Sequence, residues 1–168
     1  ADMAKMVEHM ACGLHQAGLT RGEHVVVVGS NRPRLYATML ATQALGAIPV
    51  PLYQDAAAAE CVFPLNNAEV RFAVVEDQEQ VDKLLEIRDQ CPRIEHIFFD
   101  DPRGLRKYDE PGLASVEELL AAGDVFAKLH PQFYQDEVEK AHTDDVGAMF
   151  FTSGTTGNPK GCLLYTSD

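Results

Sequence analysis

Hydrophobic positions in this chain switch repeatedly between helical spacing and short continuous runs. Met6, Met10, Leu14 and Ala17 recur at helical spacing before Gly18, which predicts a helix over residues 3–17. Short apolar runs bounded by turn residues predict buried strands at 24–29, 47–53, 71–75, 94–99 and 146–151. Helical patterns fill the intervals at 33–45, after Asp55, at 78–91 and from 116 toward 140.

This alternation predicts an α/β fold, with a largely parallel sheet and helices on both of its faces. Pro49 and Pro51 cannot donate ladder hydrogen bonds, so residues 47–53 are expected at an edge of the sheet. The polar residues 100–112, which include prolines and glycines, are expected to form a surface loop. No internal repeat or convincing linker divides the chain, and one folding unit is expected.

Polar residues at the predicted helix starts suggest particular caps. The expected capping residues are Ser30 or Asn31, Asp55, Asp77 with Gln80, and Ser115 with Glu118. Gly123 with Asp124 predicts a break, followed by a second helical stretch toward Lys140.

Composition narrows the class of protein. The chain has 168 residues, of which 46% are hydrophobic, and a formal net charge of -12, which disfavours both intrinsic disorder and nucleic-acid binding. Four widely spaced cysteines, without paired metal-ligand spacing or a secretion signal, predict reduced thiols in the cytoplasm. No apolar run is long enough to span a bilayer, so any membrane contact is expected to be peripheral.

The segment 151–161, Phe-Thr-Ser-Gly-Thr-Thr-Gly-Asn-Pro-Lys-Gly, carries the strongest chemical signal. Its glycines let successive backbone N–H groups turn toward an anion, while four hydroxyls and one lysine add donors and positive charge. The apolar strand before it places this loop at a strand end, where open α/β sheets bind ligands. The pattern predicts a polyphosphate-binding loop.

The loop does not fit the Walker A pattern, because Pro159 precedes Lys160 and Gly161 follows it. It instead resembles the phosphate loop of the adenylate-forming superfamily, which includes acyl-CoA synthetases, luciferases and adenylation domains of peptide synthetases. Residues 18–25, 31–33 and 43–52 also resemble the early N-terminal region of these enzymes. Residues 52–55 and 73–81 look most like long-chain fatty acyl-CoA synthetases.

The resemblance implies that residues 1–161 are part of an N-terminal AMP-binding domain that ends in the phosphate loop. In such enzymes a carboxylate attacks the α-phosphate of ATP, and coenzyme A then displaces AMP from the acyl-adenylate. The resemblance assigns phosphate contacts to Thr152, Ser153, Thr155 and Thr156, the tight path to Gly154 and Gly157, and charge neutralisation to Lys160. It also implies Mg²⁺, for which the sequence names no ligand.

Residues 162–168 depart from the family pattern, and the motifs that follow this loop in the family are absent. The chain is therefore expected to be a fragment of a fatty acid–CoA ligase that is inactive alone. Two alternatives stay open at this point: a free-standing nucleotide-binding module, and an adenylation enzyme for an aryl or amino acid.

Other polar residues favour structural roles. The six histidines show no metal-ligand spacing and are expected to be structural or surface residues. Asp100 and Asp101 suit local hydrogen bonding after a strand, and the acidic cluster at 136–139 suits a solvated helix face. Asn31 is explained sufficiently by helix capping.

Overall fold

A computed structural model describes residues 2–152 and 157–165 of the chain. Helices and strands alternate through most of it. The helices are α1 (Met3–Gln16), α2 (Pro33–Ala44), α3 (Ala58–Asn67), α4 (Gln78–Glu86), α5 (Val116–Leu129) and α6 (Phe133–Glu139), with a short 3₁₀ helix at Arg88–Gln90. The strands are β1 (His24–Val28), β2 (Ile48–Leu52), β3 (Phe72–Val75), β4 (His96–Phe99), β5 (Leu113–Ser115), β6 (Val146–Thr152) and β7 (Lys160–Tyr165).

Five parallel strands form the main sheet in the order β2-β1-β3-β4-β5. Strand β2, which contains Pro49 and Pro51, pairs only with β1 and lies at the edge, as the prolines predict. Strand β5 was not predicted; it is three residues long and extends the opposite edge after the surface loop at 100–112.

Alternate residues of β1 point into two separate apolar clusters. Val26 and Val28 pack with α3 and α4 on one face, whereas Val25 and Val27 pack with α1, α2 and α5 on the other. Strand β3 is buried along its whole length, as expected for a central parallel strand. The predicted α/β fold with helices on both faces of a parallel sheet is therefore confirmed.

Strand β6 lies outside the five-stranded sheet. It pairs antiparallel with β7 in a separate two-stranded sheet, here called the hairpin, and it packs beside β2. The prediction of a strand that leads into the loop is confirmed, but the parallel ladder does not extend to it. The segment that departs from the family pattern supplies most of β7, from Cys162 to Tyr165.

Two predicted helix starts are confirmed and two are wrong. Asp77 accepts a hydrogen bond from the Gln80 amide, and Ser115 forms a capping box with Glu118. Helix α2 has Arg32 at its N-cap, because Ser30 and Asn31 make other hydrogen bonds. Helix α3 begins after Ala57 rather than Asp55, and Glu60 accepts from the Ala57 amide.

The predicted break at Gly123 and Asp124 is also wrong, because α5 continues through both residues. Gly123 faces α1, where a Cβ atom would lie only 1.7 Å from the carbonyl oxygen of His9. On the other side of this contact, a Cβ on Gly13 would lie 2.4 Å from the Leu119 carbonyl oxygen. The glycines thus permit two helices to approach closely, and the break comes later, between α5 and α6.

All four cysteines are free thiols: Cys12, Cys61 and Cys91 are buried and Cys162 is exposed. Burial raises the pKa of the Cys12 thiol to about 11, with a smaller contribution from Glu8, which disfavours the nucleophilic thiolate at neutral pH. Within the described ranges, no helix is both long enough and apolar enough to cross a bilayer.

Candidate functional site

The hairpin brings the two ends of the predicted phosphate loop together. Thr152, the last residue of β6, is paired with Lys160, the first residue of β7, and Phe151 is paired with Gly161. Three of the seven predicted binding residues lie within the described ranges: Thr152, Gly157 and Lys160. The other four, Ser153, Gly154, Thr155 and Thr156, lie outside the described residues.

The described part of the loop is open to solvent. Gly157 has a φ of 103°, a conformation that favours glycine, and a Cβ placed on it would meet no atom within 4 Å among the described residues. Thr152 and Lys160 are both exposed. Lys160 forms no ion pair with any residue in 2–152 or 157–165, so its ammonium group is accessible to an anion.

Contacts along β6 fix its direction relative to the sheet. Near its start, Gln43 Nε2 donates to the carbonyl oxygen of Gly147 at 2.6 Å, and Gln43 lies at the end of α2, just before the chain enters β2. Near its end, the Phe151 ring lies 6.5 Å from the Phe63 ring, edge to face. The end of β6 consequently lies at the same side of the molecule as the carboxyl end of β2.

A groove with two cavities runs along the carboxyl ends of β1, β2 and β6. The larger, of about 510 Å³, lies against both ends of the loop, since Thr152 and Pro159 are part of its wall. Its remaining wall is mainly apolar and comes from β2, α3 and β6: Pro51, Leu52, Tyr53, Ala56, Glu60, Cys61, Pro64, Phe150 and Phe151. This volume lies within the range of small-molecule sites.

The smaller cavity, of about 250 Å³, lies on the other side of Phe150. It shares Pro51, Leu52 and Phe150 with the larger one. Its other wall is the connection from β1 to α2 together with α2 itself: Val27, Gly29, Ser30, Asn31, Leu35, Tyr36 and Met39. Parallel α/β sheets bind ligands outside the carboxyl ends of their strands, and the groove occupies this position.

Beside the groove, Glu76 connects the ends of β1 and β3. Its Oε2 accepts from the Ser30 amide at 2.5 Å and from the Ser30 hydroxyl at 2.7 Å, and its Oε1 accepts from Arg32 Nε at 2.7 Å. Burial tends to raise the pKa of this carboxyl, but the bonds from Ser30 and Arg32 outweigh it, and the pKa is lowered. Ser30 is thus engaged by Glu76 and not by α2.

Sequence reasoning missed Glu76 altogether. The available signal was an acidic residue directly after the buried run 72–75, opposite a serine that follows another buried run. Asn31 does not cap α2 as the sequence predicts: its Oδ1 accepts from the Tyr36 hydroxyl at 2.9 Å, and both residues line the smaller cavity.

Of the two paired acidic residues, Asp101 makes the local hydrogen bonds expected of it, whereas Asp100 pairs with an arginine 66 positions away in the sequence. Asp100 accepts from Arg34 at 3.1 Å, and Asp101 accepts from the backbone and side chain of Arg103. In the acidic cluster of α6, Glu137 lies 3.7 Å from Arg21. The His15 ring packs against the ring of Phe133, with centroids 4.4 Å apart.

No cluster of three or more histidine, cysteine, aspartate or glutamate side chains in 2–152 and 157–165 has a geometry suited to a metal ion.

Curated proteins that resemble this chain include long-chain-fatty-acid–CoA ligases. The long-chain-fatty-acid–CoA ligase ACSBG2 of Xenopus laevis is 28% identical over 155 residues, covering 92% of this chain and 20% of the relative. The long-chain-fatty-acid–CoA ligase FadD15 of Mycobacterium bovis is 25% identical over 168 residues, covering 100% of this chain and 26% of the relative. The chain thus spans between 20% and 26% of these curated relatives.

Solved structures share the fold at lower identity. The anthranilate CoA ligase AuaEII, solved with anthranoyl-AMP, superposes with a TM-score of 0.80 at 22% identity and covers 98% of this chain and 29% of that protein. Acetoacetyl-CoA synthetase from Streptomyces lividans superposes with a TM-score of 0.77 at 21% identity, and the match covers 98% of this chain and 25% of that protein.

A family profile described as AMP-binding enzyme matches residues 1–168, the full length of the chain. This match agrees with the loop motif, the parallel α/β sheet and the fatty acid–CoA ligase relatives. The chain belongs to the AMP-binding enzyme family.

Proposed function

We propose that this chain is an N-terminal portion of an AMP-forming acyl-CoA synthetase, with residues 1–161 belonging to its AMP-binding domain. The complete enzyme would activate a long-chain fatty acid with ATP and transfer the acyl group from the adenylate to coenzyme A. The family match over all 168 residues carries this proposal. The names of the curated relatives support the fatty acid as the substrate.

The role of this chain within that reaction is to hold the phosphates of ATP. When a carboxylate attacks the α-phosphate, pyrophosphate leaves and negative charge grows on the β- and γ-phosphates. An ammonium group and hydroxyl donors placed beforehand at that position lower the barrier by stabilising the charge. The pairing of Thr152 with Lys160 supports this role, because it places a hydroxyl and a cation next to each other where the two ends of the loop meet.

The loop residues between them complete the proposed site. Ser153, Thr155 and Thr156 would donate hydroxyl and backbone hydrogen bonds, while Gly154 and Gly157 would allow the backbone to approach the phosphates. Gly157 already has the positive φ that such a path requires. Mg²⁺ and coenzyme A are implied by the family, and we assign neither of them to a residue of this chain.

The phosphate site is tested by ATP binding to the purified 168-residue chain, measured by titration calorimetry. We expect weak binding, with a dissociation constant near 1 mM, and a loss of about tenfold in Lys160→Ala, because one charge-assisted contact contributes about 1.4 kcal/mol. Lys107→Ala is the matched control, since it removes an exposed lysine from the surface loop near the opposite edge of the sheet. Equal affinity in both variants, or no binding by the parent chain at millimolar ATP, would contradict the site.

Catalysis is tested separately by fatty-acid-dependent exchange of labelled pyrophosphate into ATP. We expect no exchange above background from the isolated chain, since phosphate contacts alone do not position the carboxylate for attack. Exchange by this chain would show that its residues are sufficient for adenylation. ATP binding without exchange also fits a nucleotide-binding module, and exchange by a longer form of the protein with palmitate, but not with benzoate, would favour the fatty acid ligase.

A further inference from the structure

The strand order predicts a crevice between the carboxyl ends of β1 and β3, and in this protein a side chain fills it. From β1 the chain crosses to β2 on one side, whereas β3 lies on the other side of β1. In doubly wound sheets a ligand binds outside the carboxyl ends of the strands at this point of reversal. Here the position between the ends of β1 and β3 is occupied by the Glu76 side chain and its partners.

The partners of Glu76 are the kind that bind anions. A backbone N–H, a hydroxyl and a guanidinium group converge on one carboxylate, as they do on phosphate groups in ligand sites. Among the carboxylates of residues 2–152 and 157–165, Glu76 is the most buried, with 8% of its surface exposed. A buried charge persists only when such donors compensate for its lost hydration.

The backbone on both sides is built to admit this carboxylate. A Cβ on Gly29 would lie 2.6 Å from the Cβ of Glu76 and 2.5 Å from Leu35, so only glycine allows the close approach. The Glu76 amide still donates to the Val28 carbonyl at 2.9 Å, which keeps the side chain in register with β1. Glu76 therefore holds the connection at residues 29–32 through the Ser30 amide and through the side chains of Ser30 and Arg32.

We propose that Glu76 is a positioning residue, an internal anion that closes the crevice between β1 and β3 and fixes residues 29–32 as a wall of the groove. Gly29 and Ser30 line the smaller cavity opposite Phe150, two residues before Thr152. Holding this wall fixes the boundary of the ligand space beside β2 and β6. The link to ligand binding rests on the proposed function, whereas the closure of the crevice does not.

The first test measures amide hydrogen exchange in the 168-residue chain. Glu76→Gln keeps the size of the side chain and removes its charge, and we expect the Ser30 amide to exchange about three- to tenfold faster, because the remaining amide oxygen accepts a weaker, uncharged hydrogen bond. Glu95→Gln is the matched control, because Glu95 accepts two hydrogen bonds from Arg71 before β4 begins, at the amino end of the sheet. Ser30 exchange within twofold of the parent in Glu76→Gln would overturn the proposal.

The second test separates positioning from general stabilisation. With methyl-labelled methionine, the Met39 resonance reports on the smaller cavity, and the Met10 resonance reports on the core beside α1. We expect Glu76→Gln to shift Met39 and leave Met10 in place, Glu76→Asp to restore most of the parent spectrum, and formate to restore Ser30 protection in Glu76→Ala. Equal shifts at both methyls, or no rescue by either aspartate or formate, would show a merely structural role. If Glu76→Ala does not fold, the glutamine and aspartate variants decide.

ATP affinity then links the wall to the phosphate site. We expect Glu76→Gln to weaken ATP binding several-fold while Glu95→Gln leaves it unchanged. If the parent chain binds no ATP, the proposed function of the isolated chain fails, but exchange and methyl spectra still decide whether Glu76 holds residues 29–32. If ATP binds and both glutamine variants bind it equally, the positioning role is overturned and the proposed function stands.

Discussion

The five-stranded sheet and the hairpin differ in how firmly the rest of the molecule holds them. Strands β1 and β3 are buried almost throughout, with helices on both faces, whereas every residue of β7 is exposed. The candidate phosphate contacts nevertheless lie on the hairpin. Under the proposed function, the phosphate contacts therefore lie outside the buried scaffold of this chain, as is common for binding residues on connecting segments.

The largest expected effect comes from truncating one phenylalanine in each region. Phe72 in β3 is 0% exposed, and Phe150 in β6 is 36% exposed. Phe72→Ala should lower the free energy of unfolding by about 3–5 kcal/mol, because it removes buried area and leaves a cavity. Phe150→Ala should cost less than about 1 kcal/mol, because solvent already reaches the ring. Urea denaturation of both variants checks the difference.

Equal losses in the two phenylalanine variants would show that the hairpin belongs to the same cooperative core as the sheet. The slope of the denaturation curve provides an internal control, since it scales with the surface exposed on unfolding. An unchanged slope means that the variants differ in stability and not in the extent of the unfolding transition.

A second, smaller effect is expected where α1 meets α5. Gly123→Ala would place a methyl group 1.7 Å from the His9 carbonyl oxygen, so the helices must separate. Overpacking of this kind costs about 1–3 kcal/mol. Thermal unfolding measures the loss, and Ala122→Gly is a suitable control because it changes a neighbouring helical residue on a different face. If Gly123→Ala is stabilising, as an exposed glycine replaced in a helix would be, the close contact does not exist in solution.

Periodicity predicted most of the fold because local patterns and tertiary burial agree there. The continuous apolar runs at 24–29 and 71–75 became buried strands, and Pro49 and Pro51 marked the edge strand. Gly123 was misread because a glycine at a helix end and a glycine at a helix–helix contact have the same local sequence signal. Only the position of α1, a long-range property, distinguishes them.

The candidate site was predictable only where its residues are contiguous. Thr152, Gly157 and Lys160 lie in one segment whose glycines and hydroxyls suggest phosphate binding without any knowledge of the fold. Glu76 and Ser30 are 46 residues apart and meet because β1 and β3 are neighbours in the sheet. The sequence order of strands does not specify their spatial order, and that network could not be predicted.

Acid should weaken the sheet region through its arginine-paired carboxylates. At Glu76 and Glu23, burial tends to raise the pKa, but hydrogen bonds and the pairing with Arg32 and Arg71 lower it below the ordinary value of 4.5. A folded-state pKa below the unfolded one gives stability that is complete above about pH 4.5 and lost as the pH falls through the folded pKa. We expect a flat urea midpoint from pH 7 to 5 and a fall below pH 4.5.

The variant Glu76→Gln should reduce the steepness of that fall, because one of the titrating groups is gone. Measuring the urea midpoint at several pH values for this variant and for the parent chain isolates the contribution of Glu76. A fall of the same steepness in both proteins would assign the acid sensitivity to other carboxylates.

The smallest expected effect lies on the hairpin surface. Leu164 in β7 is 53% exposed, so Leu164→Ser removes little buried area and should change the free energy of unfolding by no more than about 0.5 kcal/mol. Leu164 pairs with Ala148, four residues from the Thr152–Lys160 pair at the ends of the loop. ATP affinity should therefore also stay within twofold. Urea denaturation and calorimetry check both expectations. A loss above about 1.5 kcal/mol would match the cost of a buried aliphatic residue and would remove the contrast between hairpin and sheet.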